Sequence, residues 1–258
     1  MDAVVTAGGI PLPGEPLYPF TQGGEKALLD VAGKPMIQWV LDALDGSKLV
    51  ERLIIMGLEN PTAVHVKKPV WFETNHGSLL ENIRGGVKKA LEIDPAERHI
   101  LLVSSDIPAI QPAMVDWVGE TSMQTDDDVY YNVIEKKVME KRFPGSKRTY
   151  THLKNLDLAG GDLNVIRTMT ATSNDEMWER IIDARKSVFK QAALVGYDVL
   201  ILLLLRLIDL DEAVKMISRR LKIKGRVLVC PYAEVGMDVD KPHQLEIMRA
   251  DLASLSGV

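Results

Sequence analysis

Four stretches of this sequence carry residue types at spacings that suit phosphate and metal chemistry. The first is the opening run Ala3 to Ala7, short, apolar and rich in valine, which Gly8-Gly9 terminates. Adjacent glycines let the chain turn sharply and let an anion approach main-chain N–H groups. Lys26, the first cation of the chain, follows a loop containing Pro11, Pro13, Pro16 and Pro19. The second is Asp106, just past the continuous apolar run Ile100 to Val103. Such a run reads as a strand of a parallel sheet buried on both faces, and open α/β sheets bind ligands beyond the carboxyl ends of their strands. A carboxylate there is a hard oxygen donor, suited to a Mg²⁺ ion that also holds phosphate oxygens. The third is Asp238-Val-Asp240, where alternation puts both carboxylates on one side of an extended segment. Asp240 could equally cap a helix opening at Pro242, so which of the pair faces a metal stays open. The fourth is the loop Phe143-Pro-Gly-Ser-Lys-Arg-Thr149, whose Lys147 and Arg148 could hold a phosphate on a second substrate. The histidines (His65, His76, His99, His152, His243) show no metal-ligand spacing.

These residues need a scaffold that brings distant strand ends together. Strands are predicted at Ala3–Ala7, Val50–Met56, Val66–Glu73 and Ile100–Val103, with Pro69 placing the third at an edge or a strand start. Helices are predicted at Met36–Leu44, at Leu79–Leu91 behind a Ser78 cap, and from Pro112 to Val118. The proline-rich loop before Lys26 is read as having no regular element. Strands alternating with helices imply parallel pairing with right-handed crossovers. The rhythm then changes. Val129–Glu135 and Leu163–Thr168 read as strands, with Gly160-Gly161 as a turn before the second. The basic stretch from Lys136 to Arg148 reads as a solvated face, and Asp126-Asp-Asp128 as a solvated loop. Ser173-Asn-Asp-Glu176 fits a capping box, with three or four helices between Asp175 and Leu221. Val199–Leu205 is too short to span a bilayer and reads as a buried helix. Arg226–Cys230 is a late strand.

The chain has 258 residues and a net charge of −5, without the basic excess of a nucleic-acid binder. A bound polyanion must then be met by a few local cations and a metal. Cys230, the only cysteine, lies in an apolar run, which suits a core residue in a reducing compartment. A cytoplasmic location with no membrane segment is expected.

Thr6-Ala-Gly-Gly9 with Glu25-Lys-Ala-Leu-Leu-Asp-Val-Ala-Gly-Lys-Pro-Met36 resembles the opening of the nucleotidyltransferases, in particular the molybdenum-cofactor guanylyltransferase-like and sugar-phosphate nucleotidylyltransferase families. Ser105-Asp-Ile-Pro108 resembles their Asp-x-Pro metal signature, and Asp238-Val-Asp-Lys-Pro-x-x-Leu245 their closing motif. The loop after Gly9 reads Ile10-Pro-Leu-Pro-Gly-Glu, without the arginine usual in those families. The resemblance implies a glycosyltransferase-A-like α/β fold in three layers, a mainly parallel mixed sheet flanked by helices, with a helical insertion in the C-terminal half. It implies one domain over 1–258, a nucleotide-binding half (1–125) and an acceptor-binding half (126–258). It implies Ala7, Gly8, Gly9 and Lys26 at the NTP, and Gly77 and Ser78 at the nucleobase, where a helix N-cap explains Ser78 equally well. Asp106, Asp240 and Asp238 would hold Mg²⁺, Lys26 and Asp106 would be catalytic, and Lys147 and Arg148 would meet a phosphorylated small-molecule acceptor. A glycosyltransferase using an NDP-sugar, or a nucleotide-binding module without catalysis, stays open; so does the oligomeric state.

Overall fold

The computed structural model describes residues 1–59, 62–172 and 196–256. The predicted capping box at Ser173–Glu176 and any helix over 177–195 lie outside them. Among the described residues a nine-stranded mixed sheet forms the middle layer, and β2 (Asp30–Val31) pairs with β3 (Lys34–Pro35) in a separate two-stranded sheet. Its first part is parallel, in the order β5 (Val70–Glu73), β4 (Arg52–Met56), β1 (Asp2–Thr6), β6 (His99–Ser104). These strands lie where the apolar runs place them. β5 sits at the sheet edge and begins just after Pro69, the position a residue without an N–H tolerates.

Alternation along the strands builds the two helix layers. Ala3, Val5, Leu53, Ile55, Leu101 and Val103 face one way, against α2 (Met36–Gly46), α4 (Pro112–Ser122) and α9 (Pro242–Ser256). Val4, Ile54, Met56 and Ile100 face the other way, against α3 (Leu79–Ile93) and α6 (Thr168–Thr172). Burial of this kind is worth about 25 cal/mol per Å² of apolar surface, so both layers stabilise the sheet that carries the loops. The Ser78 side chain caps α3 by accepting the Glu81 N–H at 3.2 Å.

Beyond β6 the sheet turns antiparallel. β10 (Leu163–Arg167) pairs with β6, and both β10 and β9 (Asp157–Gly160) pair with β7 (Val129–Glu135). Val129 and Tyr130 oppose Ile166 and Val165, whereas Val133 and Ile134 oppose Gly160 and Ala159. Residues 157–167 therefore gain two residues on β7 between the two ladders. Gly160-Gly161 is not a chain-reversing turn; it opens a bulge in a long partner strand, which throws Asp162 out of the ladder. β8 (Thr151–His152) pairs with β9, and β11 (Gly225–Val229) runs parallel to β7.

Three further expectations change. The proline-rich loop contains a single helical turn, α1 (Tyr18–Thr21), because Pro19 falls in its first turn, where a missing N–H costs nothing. The greasy run forms α7 (Tyr197–Leu204), but it is not buried: Ile201, Leu204 and Leu205 are 55%, 83% and 58% exposed. Among the described residues, its Val199, Leu202 and Leu203 side meets a small cluster around Leu153 and Ile208 or lies buried. The acidic triplet is ion-paired, Asp126 and Asp128 with Arg167 and Asp127 with Arg226. The basic stretch forms α5 (Lys136–Arg142), and α8 (Leu210–Leu221) precedes β11. No helix among the described residues is long and apolar enough to cross a membrane.

Candidate active site

The sheet order reverses between β1 and β6, and a cleft opens past their carboxyl ends, where the sheet offers ligands a crevice. A cavity of ≈ 360 Å³ there is lined by residues that include Gly8, Gly9, Lys26, Gly77, Ser78 and Asp106. Ala7, buried, precedes it and holds the turn by donating to the Met56 carbonyl at 2.8 Å. Lys26 is pinned by its own N–H to the Gly9 carbonyl at 2.9 Å. A larger hollow of ≈ 650 Å³ lies between α5, β9 and Arg206 and contains none of the sequence candidates. Two of its three lysines are already paired, Lys137 with Glu135 and Lys136 with Asp157.

Lys26 Nζ lies 2.6 Å from Asp106 Oδ2 and 2.5 Å from Asp240 Oδ1. Burial alone would lower the pKa of this ammonium; the charges and hydrogen bonds of Asp106 and Asp240 outweigh it and hold the pKa above its ordinary value. Asp106 is oriented by Ser104 Oγ, which donates to Oδ1 at 2.5 Å, and its carbonyl accepts the Val239 N–H at 3.0 Å. That last bond ties the segment before α9 to the end of β6. Val239 is fully buried, while Asp238 and Asp240 both lie at the site, as alternation requires.

The two aspartates nevertheless differ in partner. Asp240 meets Lys26, and Asp238 forms an ion pair with Arg148. Arg148 also lies 3.9 Å from Asp162. Arg148 is thus brought to the cleft but Lys147 is not. Lys147 stands at φ 51° and is exposed, because a left-handed residue reverses the direction of the loop between the two side chains.

Asp162 was not among the sequence candidates. Burial, and then the charge of Asp106, push its carboxyl up to about 7, with Asp240 adding to the shift and Arg148 and Lys26 opposing it. Tyr131 stands beside it, its hydroxyl pKa raised first by burial and then by the Asp162 charge. Two glycines followed by an acid inside an alternating run were the available signal, since glycine within a strand pattern marks bulges.

Carboxylates outnumber cations here: Asp106, Asp162, Asp238 and Asp240 against Lys26 and Arg148. A polyanion entering such a site needs further positive charge. Two hard carboxylate oxygens already converge on one ammonium, which occupies the place a small cation could share. That donor set fits Mg²⁺, which takes one or two carboxylates and completes its shell with waters and phosphate oxygens. No group of three or more acidic, histidine or cysteine side chains suited to a metal occurs among the described residues, so an all-protein cage is not what this site offers.

A model of the MobA-like NTP transferase domain matches residues 20–176. A hypothetical transferase from Thermus thermophilus superposes with a TM-score of 0.81 at 33% identity, over 95% of this chain and 98% of that one. The curated relative "Probable molybdenum cofactor guanylyltransferase" of Thermococcus gammatolerans is 28% identical over 96 residues, 37% of this chain and 47% of that protein. The match thus spans about half the length of that relative. The 2-C-methyl-D-erythritol 4-phosphate cytidylyltransferase of Thermus thermophilus shares the fold, with a TM-score of 0.54 at 13% identity over 98% and 100% of the two chains.

Proposed function

Because the chain belongs to the MobA-like NTP transferase family, we propose that it transfers an NMP from an NTP to a phosphorylated small-molecule acceptor, releasing pyrophosphate with the aid of Mg²⁺. The observation that carries this reading is Lys26 clamped between Asp106 and Asp240 on the wall of the glycine-lined cavity.

Each residue has a role that follows from its placement. An acceptor phosphate is already largely ionised at neutral pH and needs no general base. Lys26 could not serve as one, since its neighbours keep it protonated. It acts as a fixed positive charge. An ammonium has three donors, and Asp106 and Asp240 take two, so the third can reach a phosphate oxygen without breaking the clamp. Charge developing on the departing pyrophosphate would be stabilised by that preorganised contact. Asp106 and Asp240 would hold Mg²⁺, which neutralises phosphate charge when bound. Gly8 and Gly9 would cradle the triphosphate, Gly77 and Ser78 would border the base, and Arg148 would meet the acceptor from the side of Asp238 and Asp162.

The test is a thermal-shift series with the four NTPs and several NDP-sugars, with and without Mg²⁺, followed by pyrophosphate release with the best NTP. A ligand at a hundredfold excess over Kd adds about 2.7 kcal/mol of stability, or roughly 5–10 °C for a chain of this size. Mg²⁺-dependent stabilisation by an NTP and release of pyrophosphate are expected. Stabilisation by an NDP-sugar and by no NTP would overturn the reading in favour of a glycosyltransferase.

A further inference from the structure

Two loops from distant parts of the chain border the cavity: Gly8-Gly9 after β1, and residues 75–78 before α3. We infer that Asn82 is a positioning residue which, acting through Asn75, braces these loops into one rigid cradle and so makes triphosphate binding at Gly8-Gly9 depend on a side chain of α3. The inference rests on the nucleotide-site reading above.

Asn82 sits in the first turns of α3 and is 4% exposed. Its Oδ1 accepts the His76 N–H at 2.8 Å, and its Nδ2 donates to Asn75 Oδ1 at 3.1 Å. The same Asn75 oxygen accepts the Gly77 N–H at 2.9 Å, and Asn75 Nδ2 donates to the Gly8 carbonyl at 2.8 Å. Turning either amide over would set donor against donor, so each orientation is determined by its neighbours. The last bond fixes the plane of the Gly8–Gly9 peptide and with it the direction of the Gly9 N–H. Linked amides of this kind polarise one another and lock a single arrangement.

Packing leaves the brace no slack. A Cβ on Gly8 would lie 2.7 Å from Asn75 Cγ, and one on Gly85 would lie 2.6 Å from His76 Cε1. Gly57, at φ 97°, packs so closely that a Cβ there would strike the Gly8 backbone. The phosphate loop is held between Asn75 and Gly57, and the 75–78 loop between Gly8 and α3.

The experiment is calorimetric titration of wild type, Asn82→Ala, Asn82→Asp, Asn75→Ala and the double alanine variant with Mg²⁺ and inorganic tripolyphosphate, and with the NTP giving the largest thermal shift. Asn82→Asp still accepts from His76 but no longer donates to Asn75. It should therefore lose tripolyphosphate affinity like Asn82→Ala, about ten- to a hundredfold, the scale of one hydrogen bond to a charged group. The double variant should lose little more than Asn75→Ala, since both break one relay. A merely structural asparagine would give additive losses, or a lower melting temperature with unchanged affinity, and either result overturns the brace. Asn75 is exposed, so Asn75→Ala carries the test even where Asn82 variants fail to fold: full tripolyphosphate affinity in that variant refutes the inference. Wild-type protein that binds neither an NTP nor tripolyphosphate sinks the nucleotide-site reading itself, whereas wild-type binding with indifferent variants sinks the brace alone.

Discussion

The loops after β1 and β5 and the bulge between β9 and β10 border one group of charges but are held in different ways. On the side assigned to the nucleotide, Asn75 and Asn82 use both ends of their amides, and glycines at 8, 57 and 85 admit close contacts that a Cβ would block. On the side assigned to the acceptor, Arg148 Nε and Asp162 Oδ2 are buried without a hydrogen-bond partner. Each such group costs about 1–3 kcal/mol relative to a satisfied one. A ligand that meets them recovers part of that energy. One half of the cleft is thus set before any ligand arrives, and the other keeps polar capacity for a second substrate to fill.

The strongest way to break this contrast is at the charge that joins the two halves. Lys26→Ala should lower pyrophosphate release by about a hundred- to a thousandfold, the 2.7–4 kcal/mol typical of one preorganised contact to developing charge. It should also weaken NTP more than NMP, because NMP lacks the outer phosphates; calorimetry with both ligands checks this. Arg148→Ala should act on the second substrate alone, with acceptor kcat/KM falling about ten- to a hundredfold and NTP affinity unchanged. An equal loss of NTP affinity would erase the distinction between the sides.

Asp162 gives a pH test of the same contrast. Its carboxyl is held up at about 7 in the folded protein, mainly by burial. Protons therefore bind the folded state more tightly than the unfolded one, and the stability this favours is complete below the ordinary carboxylate range and lost as pH rises towards about 7. In metal-free buffer, Asp162→Asn should gain melting temperature over wild type at about pH 8 and much less at about pH 5. An equal effect at both values would remove Asp162 from the electrostatics of the site. The smallest effect belongs to Lys147→Ala. This exposed side chain makes none of the contacts that hold Arg148, so stability should stay within about 0.5 kcal/mol and acceptor kinetics should not move.

The parallel half was legible because its signals are local. Ile100 to Val103 is apolar without interruption, and an acid just past such a run, at Asp106, falls at the strand end. Met36–Gly46 and Leu79–Ile93 announce themselves by helical spacing and by Pro35 and Ser78 at their starts. The antiparallel half depends on register, which no window of sequence contains. Gly160-Gly161 reads as a turn until Val133 and Tyr130 are seen pairing on either side of it. Asp162 was missed for that reason. Asn82 falls within the helix predicted at Leu79–Leu91, but the bonds that matter run from it through Asn75 to Gly8, 67 residues from Asn75. Val199 to Leu205 misled in the opposite direction, since a run apolar all round predicts burial, yet Ile201 and Leu204 of α7 are exposed.

The clamp on Lys26 also orders events in time. Its two hydrogen bonds span 80 and 214 residues of chain. Closing loops of that length loses entropy before the contact is made, so non-local contacts of this kind form slowly. The charge cluster therefore assembles only after β6 and the segment before α9 have both docked, and a chain that has built β1 and β4 alone has not yet brought Lys26 to Asp106 and Asp240. In refolding, the signal of NTP binding should lag the far-ultraviolet signal of the sheet and helices; binding that keeps pace with secondary structure would show that the clamp is dispensable for capture.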